Sequence, residues 1–137
     1  MIYLEQTHLD EMLSHAREKD PVECCGLLAG KSRRVSKVYR VTNSAASATR
    51  YLMEPRELIE IFREIDTNGW DILAIYHSHT HTESYPSQTD LDLAYWSDPL
   101  YIIISLEDKP HPKVRAFHIE KGMIEEREIK IIQAPLL

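Results

Sequence analysis

Residues 70–90 read WDILAIYHSHTHTESYPSQTD, and the first half of this stretch sets the architecture. Ile72, Leu73, Ala74 and Ile75 run without a polar interruption, the pattern of a strand covered on both faces. His77 and His79 follow where the apolar run gives way to a polar segment, THTESYP. SQTDLDLAYWS then predicts a helix. A buried strand that ends in a polar loop and feeds a helix belongs inside a sheet with helices laid against it.

Working outward from that strand, Leu58, Ile59, Ile61, Phe62 and Ile65 give the apolar face of a helix. Pro55 suits its first turn and Gly69 its end. Before it, residues 50–53 are read as a continuation of the sheet. RRVSKVYRVTN (33–43) alternates Val35, Val38 and Val41 with polar residues, a strand with a bulge. ECCGLLAG (23–30) is a short buried strand closed by Gly30. HLDEMLSHAREKD (8–20) places Leu9, Met12, Leu13 and Ala16 at helical spacing and stops before Pro21. On the other side, LYIIISLE (100–107) is a second buried strand. KVRAFHIEKGMIEEREIKII (113–132) is a closing hairpin with Lys121-Gly122 at its turn. The expected class is α/β or mixed α+β, a mixed sheet with helices packed on it.

The chain has 137 residues, enough for one domain spanning 1–137 and for a stable core without disulfides. Its formal net charge of -6 argues against nucleic acid as a partner, because phosphate binding needs a basic surface. No apolar stretch approaches the roughly 20 residues that span a bilayer. The N-terminal MIYLEQTHLDEM lacks the basic start and apolar run of a signal peptide. The two cysteines, Cys24 and Cys25, are adjacent and cannot staple distant elements; free thiols fit a reducing compartment. A cytoplasmic protein is expected. Composition leaves the assembly open, a homodimer included.

The chemistry lies in residues 77–90. His77 and His79 are two apart on a strand, so their side chains point to one face and can meet one metal ion. Imidazole suits zinc, and Asp90 in the next helix can add a carboxylate oxygen. Three protein ligands would leave the metal an open position, as in catalytic rather than structural zinc sites. The plainer reading is that both histidines are polar residues at a strand end. Ser87 and Asp90 also have one: S-x-x-D after Pro86 is the pattern of a capping box, with Asp90 complementing the helix dipole. His81 competes with Asp90 for the third ligand position, and spacing alone does not separate them. Glu23 alone would be a solvated residue at a strand start. Cys24 and Cys25 point to opposite faces of a buried strand, so both cannot face a site, and core packing is the better account. A zinc deaminase would need H-x-E with P-C-x-x-C, and the only two cysteines here are adjacent, so that pattern is not met.

His77, His79, Ser87 and Asp90 fit H-x-H-x7-S-x2-D, and in this the chain resembles the JAMM (MPN-plus) metalloproteases. The resemblance covers roughly Leu9 to Glu120. In that family a glutamate on an earlier strand, ahead of a small apolar run with a glycine, completes the site. Glu23 in PVECCGLLAG stands in that place. The resemblance implies a cytidine-deaminase-like fold, a central mixed sheet sandwiched by helices. It implies one zinc per chain held by His77, His79 and Asp90, with water in the fourth position. Glu23 would be the general base and Ser87 an oxyanion donor.

The family's eukaryotic members cut after the C-terminal Gly-Gly of ubiquitin. The compact length and the run YHSHTHTESYPSQTDLDLA are similar to the short prokaryotic CysO-cysteine peptidase group. That similarity implies a ubiquitin-like sulfur-carrier protein ending in Gly-Gly as partner, and release of cysteine in cysteine biosynthesis. Residues 50–54 could flank the channel for the Gly-Gly tail, although an ordinary strand-to-helix connection is the simpler role. Two other classes remain: an isopeptidase acting on carrier–protein conjugates, and a non-catalytic MPN scaffold. The intact ligand set speaks against the scaffold.

Overall fold

The apolar run at residues 72–75 lies in β4 (Asp71–His79), fourth in from one edge of an eight-stranded sheet of order β7-β6-β5-β4-β2-β3-β1-β8. The computed structural model describes residues 1–133, so the last four residues of the expected domain lie outside the described part. The strands are β1 (Ile2–Glu5), β2 (Cys25–Lys31), β3 (Arg34–Val41), β4, β5 (Leu100–Ser105), β6 (Lys113–Glu120), β7 (Met123–Arg127) and β8 (Ile129–Ile132). The helices are α1 (Gln6–Lys19), α2 (Pro55–Thr67) and α3 (Gln88–Asp92). The sheet is mixed: β1 runs parallel to β3 and β8, and β4 parallel to β5, while the remaining pairs are antiparallel.

Alternation along β4 and β5 supplies two cores. Ala74, Tyr76, Ile102 and Ile104 face α1, whose Met12 and Ala16 pack on them. Ile75, Tyr101 and Ile103 face α2, whose Ile61 and Ile65 cover them. Burial on both faces of β4, expected from its unbroken apolar run, is thus met by a helix on each side. Cys24 joins the α1 core and Cys25 the α2 core, both as free thiols. Burial pushes Cys24 up to about 11 and Cys25 up to about 12, which suits packing and not nucleophilic chemistry. Gly26 lies under the Tyr76 ring; a Cβ there would come 2.3 Å from both that ring and the Tyr39 carbonyl oxygen.

The bulge expected in the second strand sits at Ser36, since Ala29 pairs with Lys37 but Gly30 with Val35. The closing hairpin forms as β6 and β7 around Lys121-Gly122, whose φ values are both positive as a two-residue primed turn requires. The chain then departs from expectation. After the single residue Glu128 it enters β8, which pairs with β1 at the opposite edge of the sheet. One intervening residue spans only about 7 Å, so the sheet curls until its two edges come close. β1 was not expected from the sequence. Residues 50–53 do not extend the sheet; only Met53 forms an isolated bridge, to Asn43. The helix expected over SQTDLDLAYWS is limited to the five residues of α3.

Candidate metal centre

Antiparallel pairing of β2 with β4 sets Cys25 opposite His77, so Glu23, two residues earlier, falls opposite His79 on the same face. The loop after β4 returns over the strand end, because Ser105 Oγ donates to the Thr82 carbonyl at 2.5 Å. That places the Glu83 carbonyl 2.7 Å from His79 Nδ1. A carbonyl only accepts, so Nδ1 carries a proton, and in the neutral ring Nε2 carries the lone pair. Ser87 caps α3: its Oγ accepts from Asp90 N at 3.1 Å, and its own N–H donates to Asp90 Oδ2 at 2.9 Å. The capping box read from S-x-x-D is therefore present, and it also fixes the Asp90 carboxylate. Ser87 Oγ accepts in this bond, which leaves its hydroxyl proton free to donate elsewhere.

Three donors converge as a result. His77 Nε2 and His79 Nε2 lie 3.1 Å apart, His77 Nε2 is 3.0 Å from Asp90 Oδ1, and His79 Nε2 is 2.9 Å from Asp90 Oδ2. A tetrahedral zinc with bonds of about 2.0–2.1 Å would hold its donors about 3.3 Å apart. The His79 lone pair faces a carboxylate oxygen, an arrangement that needs a proton or a cation between them. The group His77, His79 and Asp90 thus fits a metal ion. His81 is exposed and turns to Thr80 Oγ1 at 2.8 Å, outside the cluster. Glu83 has an exposed side chain and contributes its carbonyl to His79.

Burial and charge tune these groups. Burial lowers the His77 pKa. It would lower His79 as well, but hydrogen bonds with Asp90 and the Glu83 carbonyl raise it. Burial would raise Asp90, yet the hydrogen bonds from His77, from the protonated His79 ring and from the Ser87 N–H hold it far below the usual carboxylate range. Glu23 is 3% exposed and its Oε1 has no partner among the described residues. Burial pushes its pKa up to about 8, with His79 opposing and Asp90 reinforcing the rise. A carboxyl poised near neutral pH is suited to taking up and releasing a proton.

Two contributors escaped the sequence reading. Tyr51 stacks on the His77 ring, with centroids 4.6 Å apart and planes at 28°. Asn43 holds the loop that carries Tyr51. Its Nδ2 donates to the carbonyls of Glu23 and Arg50, and its Oδ1 accepts from the N–H groups of Ala45 and Leu52. No periodicity marks either residue; a lone aromatic in a polar segment was the only signal.

Known proteins share both the sequence and the shape. The family described as prokaryotic homologs of the JAB domain matches residues 5–120. The CysO-cysteine peptidase of Mycobacterium tuberculosis is 34% identical over 91% of this chain and 87% of its own length. A Thermus thermophilus protein named as a probable TtuB-protein conjugate cleaving protease is 33% identical over 89% of this chain and 78% of its own. A solution structure of a Desulfitobacterium hafniense protein superposes with a TM-score of 0.90 at 37% identity, covering 98% of this chain and 94% of that one. With a motif-bearing strand, a capped carboxylate and an opposed buried glutamate in this frame, the chain belongs to the prokaryotic homologs of the JAB domain, hydrolytic enzymes of the JAMM/MPN group.

Proposed function

We propose that this chain is a zinc-dependent peptidase of the cytoplasm that hydrolyses the bond after the C-terminal Gly-Gly of a ubiquitin-like sulfur-carrier protein and releases cysteine. It acts as one domain, monomeric or homodimeric. The observation that carries the reading is the convergence of His77, His79 and Asp90 donor atoms at 2.9–3.1 Å, with Glu23 buried across from His79. The relationship to the M. tuberculosis CysO-cysteine peptidase supports the choice of carrier and product.

His77, His79 and Asp90 hold the metal. When bound, zinc supplies Lewis acidity toward water and toward the scissile carbonyl. Glu23 takes the proton from the attacking water and returns it to the leaving amine; a neighbouring divalent cation would favour its ionised form. Ser87 offers its free hydroxyl proton to the oxygen that gains charge at the scissile carbonyl. Among the described residues no helix is long and apolar enough to cross a membrane, in keeping with a carrier protein free in solution.

The T. thermophilus relative favours a second reading, isopeptidase cleavage of carrier–protein conjugates. Incubating the zinc-loaded protein with two substrates, a carrier ending Gly-Gly-Cys and a carrier joined through Gly-Gly to a lysine side chain, separates the two by mass spectrometry. Loss of a cysteine residue from the first alone is expected. Cleavage of the second alone gives the isopeptidase reading, and cleavage of neither overturns both.

A further inference from the structure

The two histidines of the centre are held in different ways. His79 has its Nδ1 fixed by the Glu83 carbonyl at 2.7 Å, the usual arrangement by which a ligand imidazole is oriented from its far nitrogen. His77 has none: its Nδ1 is buried without a hydrogen-bond partner among the described residues. Its edge meets His79 at a centroid distance of 4.9 Å and 63°, and its face is covered by the Tyr51 ring at 4.6 Å and 28°. Its Nε2 end faces Asp90 Oδ1 at 3.0 Å and His79 Nε2 at 3.1 Å; away from that metal-facing end, nothing else among the described residues holds the ring by a directed contact.

We propose, on the strength of the metal-site reading above, that Tyr51 is a positioning residue that sets the plane of His77 and so aims its Nε2 at the metal. The stack takes over the task the Glu83 carbonyl performs for His79. The loop that presents Tyr51 is built for a fixed pose. Asn43 uses both Nδ2 protons and accepts two backbone N–H groups, closing the loop on itself between residues 43 and 52. Ser44 N–H donates to the Leu52 carbonyl at 2.8 Å. The same loop grips the main chain of Glu23 from both sides, with Glu23 N–H donating to the Ser47 carbonyl at 2.9 Å and Asn43 Nδ2 to the Glu23 carbonyl at 3.0 Å. One rigid loop therefore ties the position of a ligand ring to that of the proposed base.

The test measures zinc affinity by competition with a chromophoric chelator, alongside the His77 ring-proton shifts in metal-free protein. Tyr51→Phe keeps the ring and is expected to match the wild type in both. Tyr51→Leu is expected to weaken zinc binding by about 3- to 10-fold, the range a single aromatic stack accounts for, and to abolish the upfield ring-current shift on His77. Thermal melts of the metal-free proteins establish folding, and Tyr51→Met is the second variant should leucine not be tolerated. A folded Tyr51→Leu or Tyr51→Met protein with wild-type zinc affinity overturns the positioning role alone. Loss of affinity in Tyr51→Phe equal to that in Tyr51→Leu overturns it too, because the phenol and not the stack would then matter. A wild-type protein that shows the ring-current shift but takes up no zinc overturns the metal-site reading and this role together.

Discussion

Replacing Glu23 by glutamine separates its chemistry from the cost of its burial. Its carboxyl is 3% exposed, and burial raises its pKa from the ordinary 4.5 to about 8. Between those two values the unfolded chain has released the proton while the folded chain keeps it. The folded state binds more protons there, so stability falls as pH rises: the full value holds below the lower pKa and is lost on passing the upper one. Linkage over that interval amounts to about 5 kcal/mol as an upper bound. Relaxation and water penetration around a buried acid bring the expectation to about 2–3 kcal/mol. A neutral amide of nearly the same shape lacks this dependence. Metal-free Glu23→Gln should match the wild type near pH 5 and exceed it by about 2–3 kcal/mol near pH 9, measured by urea unfolding with a chelator present. With zinc restored, turnover should fall by about 100- to 10,000-fold at unchanged zinc content. An equal stability difference at both pH values would refute the burial argument. Wild-type turnover in a folded, zinc-loaded variant would refute the general base.

Ser87→Ala loses the acceptor for Asp90 N–H and should cost about 1 kcal/mol in a thermal melt, with turnover lowered by roughly 100-fold or more if the hydroxyl serves the oxyanion; full activity would leave it a helix cap only. Asp90→Ala should strip zinc from a protein that otherwise holds about one ion per chain, while His81→Ala should leave it loaded, and metal analysis of both gives the answer; the reverse pattern would reassign the third ligand. Gly26→Ala puts a Cβ 2.3 Å from the Tyr39 carbonyl oxygen and should destabilise by about 1–3 kcal/mol in urea; unchanged stability would mean that β2 and β3 separate more easily than their packing suggests.

The parts of the fold legible in the sequence are those whose cause is local. β4 and β5 announce themselves because each residue pair along them serves one of two cores. The capping box at Ser87 is a spacing of three and can be read as such. β1 has only four residues, and its partner β8 lies at the far end of the chain, so no window contains the pattern. The early end of α3 has a distant cause as well. The Tyr101 hydroxyl on β5 accepts from Trp96 N–H at 3.1 Å and donates to the Trp96 carbonyl at 3.0 Å, taking up the groups a longer helix would have used. Residues 50–53 look like strand, but Arg50 C=O and Leu52 N–H pair with the Asn43 side chain instead of a neighbouring strand. The histidine pair of the candidate metal centre was legible because H-x-H on a strand is a local geometric statement, whereas spacing did not separate Asp90 from His81 and only the family resemblance singled Asp90 out. The Tyr51 stack was not, because it joins a loop to a strand 26 positions later by packing alone.

Pairing of β1 with β8 has a consequence for how the chain is made. Ile2 sits against Ile129 and Glu5 against Ile132, so β1 stays without this neighbour during synthesis until residues 129–132 have emerged. At about 5–20 residues per second the wait is roughly 6–25 seconds. The apolar Ile2 and Leu4, buried at 1% and 0% exposure in the finished fold, depend on partners of which one arrives last. Contacts between such distant segments also slow folding, since a long loop must close before they contribute. Cutting the chain after Glu128 would therefore do more than remove one edge strand: it would leave β1 as the new edge, the β1 backbone open to other chains, and the nascent protein in need of protection while it is being synthesised.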